Sequence, residues 1–227
     1  MNLQYIKLNS NIYIQLFKAK DFGKLTKKII TDKNGHQKTV YVKTFDDLFK
    51  QREKGIKKYI ESIRNETIEH SICLDAKGDI LVHKIGEKNN IFYTQRELSK
   101  MNGAKLHIHN HPNGVGFSNS DLIFATVNNI KEIKMVTINI FNKNESLDYS
   151  LKIIHNIKTK EEIQLIKKEY NIIFNEMYKK VQNKVYNGEL GQEEIERDFF
   201  HWIMRKFVNN HKGWFIYDRQ TRTSKIN

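Results

Sequence analysis

The amino-acid sequence predicts an α/β protein in which helices pack on a β-sheet, with a β-hairpin region before this core and a pair of helices after it. Strand and helix patterns alternate over residues 64–155, which is typical of an α/β sandwich. A basic stretch with a hairpin signal occupies residues 1–63, and two amphipathic helical patterns occupy residues 156–227. We therefore predict three regions with these boundaries.

The first region is predicted to contain a hairpin and a helix. Two runs rich in β-branched residues lie within residues 24–43, and the Asn34-Gly35 pair between them favours a hairpin whose turn, residues 32–35, is longer than two residues. Apolar residues then recur with a helical period over Phe45–Ile63.

The middle region is predicted to contain at least four strands and two helices. Thr94 and Glu97 form a capping box that starts the first helix, and Gly103 follows its end. The predicted strands are residues 67–74, 80–85, 105–109 and 135–141, and the predicted helices are residues 94–101 and 118–129.

The last region is predicted to be helical. Thr159 and Glu162 form a second capping box, and Asn187 and Gly188 mark the end of the helix that it starts. A second helix follows. The apolar stripes of the two helices predict a helical pair packed on the α/β core or on a partner, and they contain Ile163, Ile166, Tyr170, Ile173, Phe174, Met177, Val181 and Val185, then Ile195, Phe199, Trp202, Ile203 and Phe207.

Composition limits the setting and the partners. No run of about 18 apolar residues occurs, so we expect no membrane span, and the first residues lack the apolar segment of a secretory signal. Cys73 is the only cysteine, which excludes an intramolecular disulfide and favours a reducing, cytoplasmic setting. The net charge of +13 would attract nucleic acid, but only seven of the basic residues are Arg, the residue best suited to reading phosphates and bases.

A candidate metal site lies where the third predicted strand of the middle region ends. Side chains two apart on a strand share a face, so His109 and His111 converge there and can hold one Zn²⁺. Pro112 ends the strand, and the glycines within residues 113–117 allow a sharp turn that brings Asp121 back from the next helix. Two histidines and one carboxylate leave a fourth position for water, as in catalytic zinc sites.

Simpler explanations exist for each part of this pattern. Ser118 and Asp121 fit a capping box, which alone would explain both residues, and His109 and His111 could be ordinary surface histidines. The succession of all these features within thirteen residues, HNHPNGVGFSNSD at residues 109–121, favours the metal site.

This stretch resembles the JAMM, or MPN+, motif, which reads His-x-His-Pro, a short loop and then Ser-x-x-Asp. The His-Asn-His-Pro form is similar to the bacterial branch, which includes RadC-like proteins and domains carried by phages and mobile elements. The loop between Pro112 and Ser118 is one residue shorter than in the commonest family form. The resemblance covers about residues 64–155 and implies a three-layer sandwich with a mixed β-sheet, related to the cytidine deaminases, and a zinc hydrolase, often an isopeptidase.

The resemblance also implies roles for residues outside the metal ligands. The family uses an upstream Glu as general base, and we predict Glu69, with Glu66 as the alternative, because Glu69 is nearer the centre of the first predicted strand of the middle region. Ser118 would donate a hydrogen bond to the oxyanion that forms on the attacked carbonyl. His107 shares a strand face with His109, but Pro112 and the following loop favour His109 and His111 as the ligands.

Two classes of function remain open from the sequence. The first is a zinc-dependent peptidase or isopeptidase acting on a peptide or an isopeptide-linked protein. The second is a DNA-associated or phage assembly protein with a JAMM-like fold in which hydrolysis is not the main role, as the positive charge suggests. A zinc deaminase is disfavoured because that site needs several cysteine ligands and only Cys73 is present.

Overall fold

A computed structural model describes residues 5–9, 12–15, 26–31, 37–42, 45–142, 144–157 and 159–223. The elements in these ranges are the strands and helices β1 (Tyr5–Asn9), β2 (Ile12–Gln15), β3 (Thr26–Thr31), β4 (Gln37–Val42), α1 (Phe45–Ile63), β5 (His70–Leu74), β6 (Ile80–Ile85), α2 (Gln95–Met101), β7 (Leu106–His111), α3 (Asn119–Val127), β8 (Glu132–Ile138), β9 (Glu145–Ile153), α4 (Lys160–Tyr186), α5 (Gln192–Asn210) and β10 (Phe215–Thr223).

A six-stranded mixed sheet organises most of these elements, in the order β10-β9-β8-β7-β5-β6. Strands β7 and β8 run parallel, and every other neighbouring pair in this sheet is antiparallel. A parallel pair needs a crossover connection, which here contains α3. This crossover brings the start of α3 back over the end of β7, where the candidate metal ligands lie.

The two faces of the sheet belong to different hydrophobic clusters. On one face, Tyr59 of α1 packs with Ile72 of β5 and Ile108 of β7. On the other face, a larger cluster contains Cys73 and Met135 of the sheet together with buried residues of α2, α3, α4 and α5. Because side chains alternate along a strand, odd-numbered residues of β7 face the larger cluster and even-numbered residues face α1.

Most of the predicted elements are confirmed. The predicted strands within residues 24–43 are present as β3 and β4, which pair antiparallel, whereas the predicted turn at residues 32–35 lies outside the described residues. Helix α1 has the predicted bounds. The capping boxes of Thr94 with Glu97 and of Thr159 with Glu162 both form, and the two predicted C-terminal helices are α4 and α5.

The predicted bounds of three strands are wrong. Strand β5 begins at His70 rather than at residue 67, and β7 continues to His111 rather than ending at residue 109. Strand β8 spans Glu132–Ile138 rather than residues 135–141. The first residues of β8 do not form an apolar run, because Glu132 and Lys134 alternate there with buried apolar residues.

Two strands of the sheet were not predicted. In β9 the buried residues Leu147, Tyr149 and Leu151 alternate with more polar ones, a period-two signal that the sequence analysis overlooked. Strand β10 is a polar edge strand whose place comes from full-length pairing with β9. Residues 156–227 are therefore not helical throughout, because they also supply one strand of the sheet.

No helix among the described residues is long and apolar enough to cross a membrane.

We predict that Asp198→Ala lowers the free energy of unfolding by about 2 kcal/mol, because two partly buried guanidinium groups lose their charged hydrogen-bond acceptor. The Asp198 side chain on α5 is 8% exposed. Its carboxylate pairs with the neighbouring Arg197 and with Arg219 of β10. Denaturant unfolding measures the change. Asp218→Ala, at an exposed position of β10, is the matched control and should change stability by less than about 0.5 kcal/mol. Equal effects of the two substitutions would contradict this account of how β10 is held.

Candidate metal centre

The last residues of strand β7 include two histidines that lie side by side. His109 and His111 point to the same face of the sheet, and their Nε2 atoms lie 3.1 Å apart. The Nδ1 atom of His111 lies 3.2 Å from the carbonyl oxygen of Val115, so Nδ1 carries the proton in that hydrogen bond and Nε2 is the nitrogen that would face an ion. The hydroxyl of Thr137 on β8 donates to the carbonyl oxygen of His111 and fixes the end of the strand.

Asp121 reaches the same point from the first turn of α3. Its Oδ1 lies 3.1 Å from His109 Nε2, and its Oδ2 lies 3.7 Å from His111 Nε2. The chain reverses before α3 with the help of Gly114, whose φ of +80° is a left-handed conformation that favours glycine. The turn therefore brings all three predicted ligands together.

The capping box predicted as an alternative also forms. Ser118 is the N-cap of α3 and accepts a hydrogen bond from the backbone N–H of Asp121. Asp121 Oδ2 in turn accepts from the backbone N–H and the hydroxyl of Ser118, at 2.8 and 2.7 Å. The capping and the metal-site explanations are therefore compatible, because one carboxylate both caps the helix and faces the two histidines.

Burial and mutual attraction set the charges of this group. Burial would raise the pKa of the Asp121 carboxyl, but His111 and His109 hold it well below its usual range. Burial lowers the pKa of His109, an effect that the nearby Asp121 charge only partly offsets. Burial would also lower the pKa of His111, but Asp121 and then Glu69 raise it above its usual value. The carboxylate is thus ionised, and its charge needs a cation or a proton beside it.

The spacing of the ligand atoms fits one ion. In the described part of the chain, one group of three His, Cys, Asp or Glu residues has ligand atoms that all lie within 4.8 Å of one another. This group is His109, His111 and Asp121. Ligand atoms about 2.0–2.1 Å from a tetrahedral zinc ion lie about 3.3 Å from one another. The two imidazole Nε2 atoms lie 3.1 Å apart, and Oδ1 of Asp121 lies 3.1 Å from His109 Nε2, both close to that value. The shortest distance from the carboxylate to His111 Nε2 is 3.7 Å and is made by the other oxygen, Oδ2.

Glu69 lies directly before β5 and not within it. Its backbone N–H donates to Glu87, and its carbonyl accepts from Gly86, so it continues the pairing of β5 with β6. Its side chain lines the same cavity as the three ligands. Burial raises the pKa of the Glu69 carboxyl to about 7, with the His111 charge opposing this shift. Glu66 does not line this cavity, and its carboxylate lies 3.9 Å from His70 Nε2.

The cavity beside the ligands has a volume of about 300 Å³. Ser118 lines it, but its hydroxyl donates to Asp121. Residues that the sequence analysis did not identify form another wall; among them, Tyr93 stacks on Phe124, with ring centroids 5.4 Å apart. The Tyr93 hydroxyl lies 3.2 Å from Nε2 of His107, which is buried beside His109. No sequence pattern marked Tyr93, because its contacts come from three separate elements.

Comparison of the chain with protein-family models, with curated proteins and with solved structures finds no match in any of the three. The fold and the site thus define a class: an α/β protein with a candidate two-histidine, one-carboxylate metal centre at the end of a sheet strand.

We predict that the purified protein binds one Zn²⁺ per chain and that zinc at 100 times its dissociation constant stabilises the fold by about 2.7 kcal/mol. Asp121→Asn should lose stoichiometric binding while keeping the helix cap, because the amide can still accept from Ser118 but carries no charge. Metal analysis after dialysis and zinc-dependent thermal unfolding measure both effects. The matched control is His155→Ala, which removes a histidine paired with Glu162 elsewhere in the fold. Zinc binding that survives Asp121→Asn would exclude this ligand set.

The pKa of Glu69 gives a second prediction, for the metal-free protein. The folded-state pKa is about 7 and the ordinary value is 4.5, so the contribution of Glu69 to stability is fully present below about pH 4.5 and is lost as pH rises through 7. Glu69→Gln has no charge to bury, so in chelator the variant should be more stable than the wild type by about 2 kcal/mol at pH 8 and about equally stable at pH 4.5. Denaturant unfolding at the two pH values tests this, and a pH-independent difference would contradict it.

Proposed function

We propose that this protein is a zinc-dependent hydrolase of peptide or isopeptide bonds, with a three-layer α/β sandwich of the JAMM type. The observation that carries the proposal is the convergence of His109, His111 and Asp121 at one end of a cavity that Glu69 also lines. The separate clusters on the two faces of the sheet, one with α1 and one with the other helices, support the three-layer arrangement.

His109, His111 and Asp121 are the residues that would hold the ion. When bound, zinc polarises a carbonyl and lowers the pKa of water from about 15.7 toward about 7. The choice of zinc rests on the donor set, since two imidazole nitrogens and one carboxylate oxygen suit this ion and leave room for water. The two histidines are buried and the Asp121 side chain is only 15% exposed, so bulk water screens the carboxylate weakly, which favours binding of a cation.

Glu69 acts as the general base and then as the general acid. Its carboxylate accepts a proton from the attacking water and later delivers it to the leaving amine. In the metal-free protein, burial raises the pKa of this carboxyl to about 7, so the environment of Glu69 favours its protonated form more than that of an ordinary Glu. Its position on the cavity wall, on the same sheet face as the histidines, supports this role over the alternative residue Glu66.

Ser118 acts as a donor to the oxyanion. Its hydroxyl lines the cavity and now donates to Asp121, so this role requires the hydroxyl to turn toward the substrate carbonyl. The backbone N–H of Ser118 keeps its own hydrogen bond to Asp121 after such a turn, so the cap survives. A single oxyanion donor typically lowers the barrier by about 3 kcal/mol.

The setting that accords with this site is a reducing compartment such as the cytoplasm. Cys73 is a buried free thiol on β5, and burial raises its pKa to about 12. Such a thiol is unreactive and lies outside the metal ligand set.

The test is hydrolysis by the zinc-loaded protein of fluorogenic peptides and of lysine ε-amide (isopeptide) substrates. We expect Glu69→Gln to lose at least about 100-fold in kcat while still binding one zinc, because it removes the proton acceptor and leaves the ligands in place. Glu66→Gln is the matched control and should keep wild-type activity.

Two outcomes would contradict the proposal in different ways. Full activity of Glu69→Gln together with loss of activity in Glu66→Gln would transfer the role of base to Glu66. Hydrolysis that persists after complete removal of zinc would exclude the metal from the reaction.

A further inference from the structure

Asn110 lies between the two candidate histidine ligands on β7, and its side chain faces away from them. Because side chains alternate along a strand, it points to the sheet face that α1 covers. The residue is fully buried, with 0% of its surface exposed. A buried amide is costly unless its donors and acceptor are satisfied, so the partners of Asn110 show what it does there.

All of these partners are backbone groups in the segment that leads into β5. The Oδ1 atom of Asn110 accepts a hydrogen bond from the backbone N–H of His70 at 2.6 Å. Its Nδ2 group donates to the carbonyl oxygen of Ile68 at 3.1 Å, and it reaches that of Glu66 at 3.5 Å. The side chain therefore holds the peptide groups on both sides of Glu69.

The regular pairing of β5 with β7 ends just before this point. The last paired residues on this side are Ser71 and His109. The other edge of the segment is held by two backbone hydrogen bonds, from Glu69 to Glu87 and from Gly86 to Glu69, each 2.8 Å long. The Asn110 side chain thus takes the place of the backbone hydrogen bonds that β7 would otherwise make to this segment. It fixes the backbone of Glu69 to the strand that carries His109 and His111.

We propose that Asn110 is a positioning residue that sets the distance between the Glu69 carboxylate and the metal ligands. This inference rests on the proposed role of Glu69 as general base. One residue holds the base through its side chain and adjoins both histidines through its own peptide bonds, so the base and the ligands move together. Displacement of a reacting group by about 1 Å can reduce a rate by about 100-fold.

The matched pair of variants for the test is Asn110→Ala and Asp75→Ala. Asp75 follows the other end of β5, and its Oδ1 accepts from the backbone N–H groups of Lys77 and Asp79, each at 2.8 Å. Both substitutions therefore remove side-chain hydrogen bonds to the backbone beside the same strand, but only the first does so beside Glu69.

Three measurements on each variant follow. Amide hydrogen exchange by NMR should show the His70 amide exchanging at least about 10-fold faster relative to Ile72 in Asn110→Ala, because its acceptor is gone. Zinc affinity should be unchanged, since the ligands remain. On the substrate that the wild type hydrolyses best, kcat should fall about 100-fold with KM unchanged. Asp75→Ala should leave all three values as in the wild type.

The outcomes separate this inference from the proposed function. If Asn110→Ala loses His70 protection but keeps wild-type kcat while Glu69→Gln is inactive, the positioning role is overturned and the hydrolase stands. If Glu69→Gln is fully active, the proposed role of Glu69 fails and the positioning role fails with it. Loss of zinc binding in Asn110→Ala would also overturn the inference, because the residue would then support the ligands and not the base.

A measurement on the wild type covers the case in which Asn110→Ala does not fold. The side-chain amide protons of Asn110 should exchange slowly in the ¹⁵N-labelled protein, because the structure buries them in hydrogen bonds to Ile68 and Glu66. Exchange as fast as that of an exposed amide would overturn the proposed positioning role of Asn110.

Discussion

The Asp121 carboxylate is buried against two imidazoles, and much of the site follows from the need to balance that charge. A carboxylate removed from water is costly unless a cation or several donors surround it. Here the donors are the backbone N–H and hydroxyl of Ser118, and the partners on the other side are the Nε2 atoms of His109 and His111. The same carboxylate raises the pKa of His111, and a divalent cation beside it would balance its charge.

The double use of Asp121 ties the site to the fold. The same carboxylate satisfies the first turn of α3 and faces the histidines, so the position of the helix fixes the position of the third ligand. The preceding loop is held in place from the C-terminal elements. Phe117 packs against Tyr149 of β9 and Tyr217 of β10, and Gly116 lies beside Phe200 of α5, close enough that an added Cβ would be in van der Waals contact with it. Helices and strands distant in sequence therefore support the geometry of a loop of a few residues.

The two faces of β7 have different roles in the proposed hydrolase. His109 and His111 face the cavity, whereas Asn110 faces α1 and holds the segment that carries Glu69. The four adjacent residues 109–112 thus connect the ligands, the base and the chain reversal that follows Pro112. This explains how a short motif can specify a site whose parts come from β7, from α3 and from the segment before β5.

The sequence by itself determined the elements whose signals are local. Capping boxes at Thr94, Ser118 and Thr159, and the alternation that puts His109 and His111 on one face, depend on residues within a few positions of one another. Tertiary structure decided the separation of the ligand atoms and the cavity wall that contains Tyr93. It also decided that Glu69, and not Glu66, lines the cavity. The place of β10, a polar strand that pairs with β9 across two intervening helices, was decided in the same way. These features depend on which distant segments pack together, and that information is not present in any local pattern of residues.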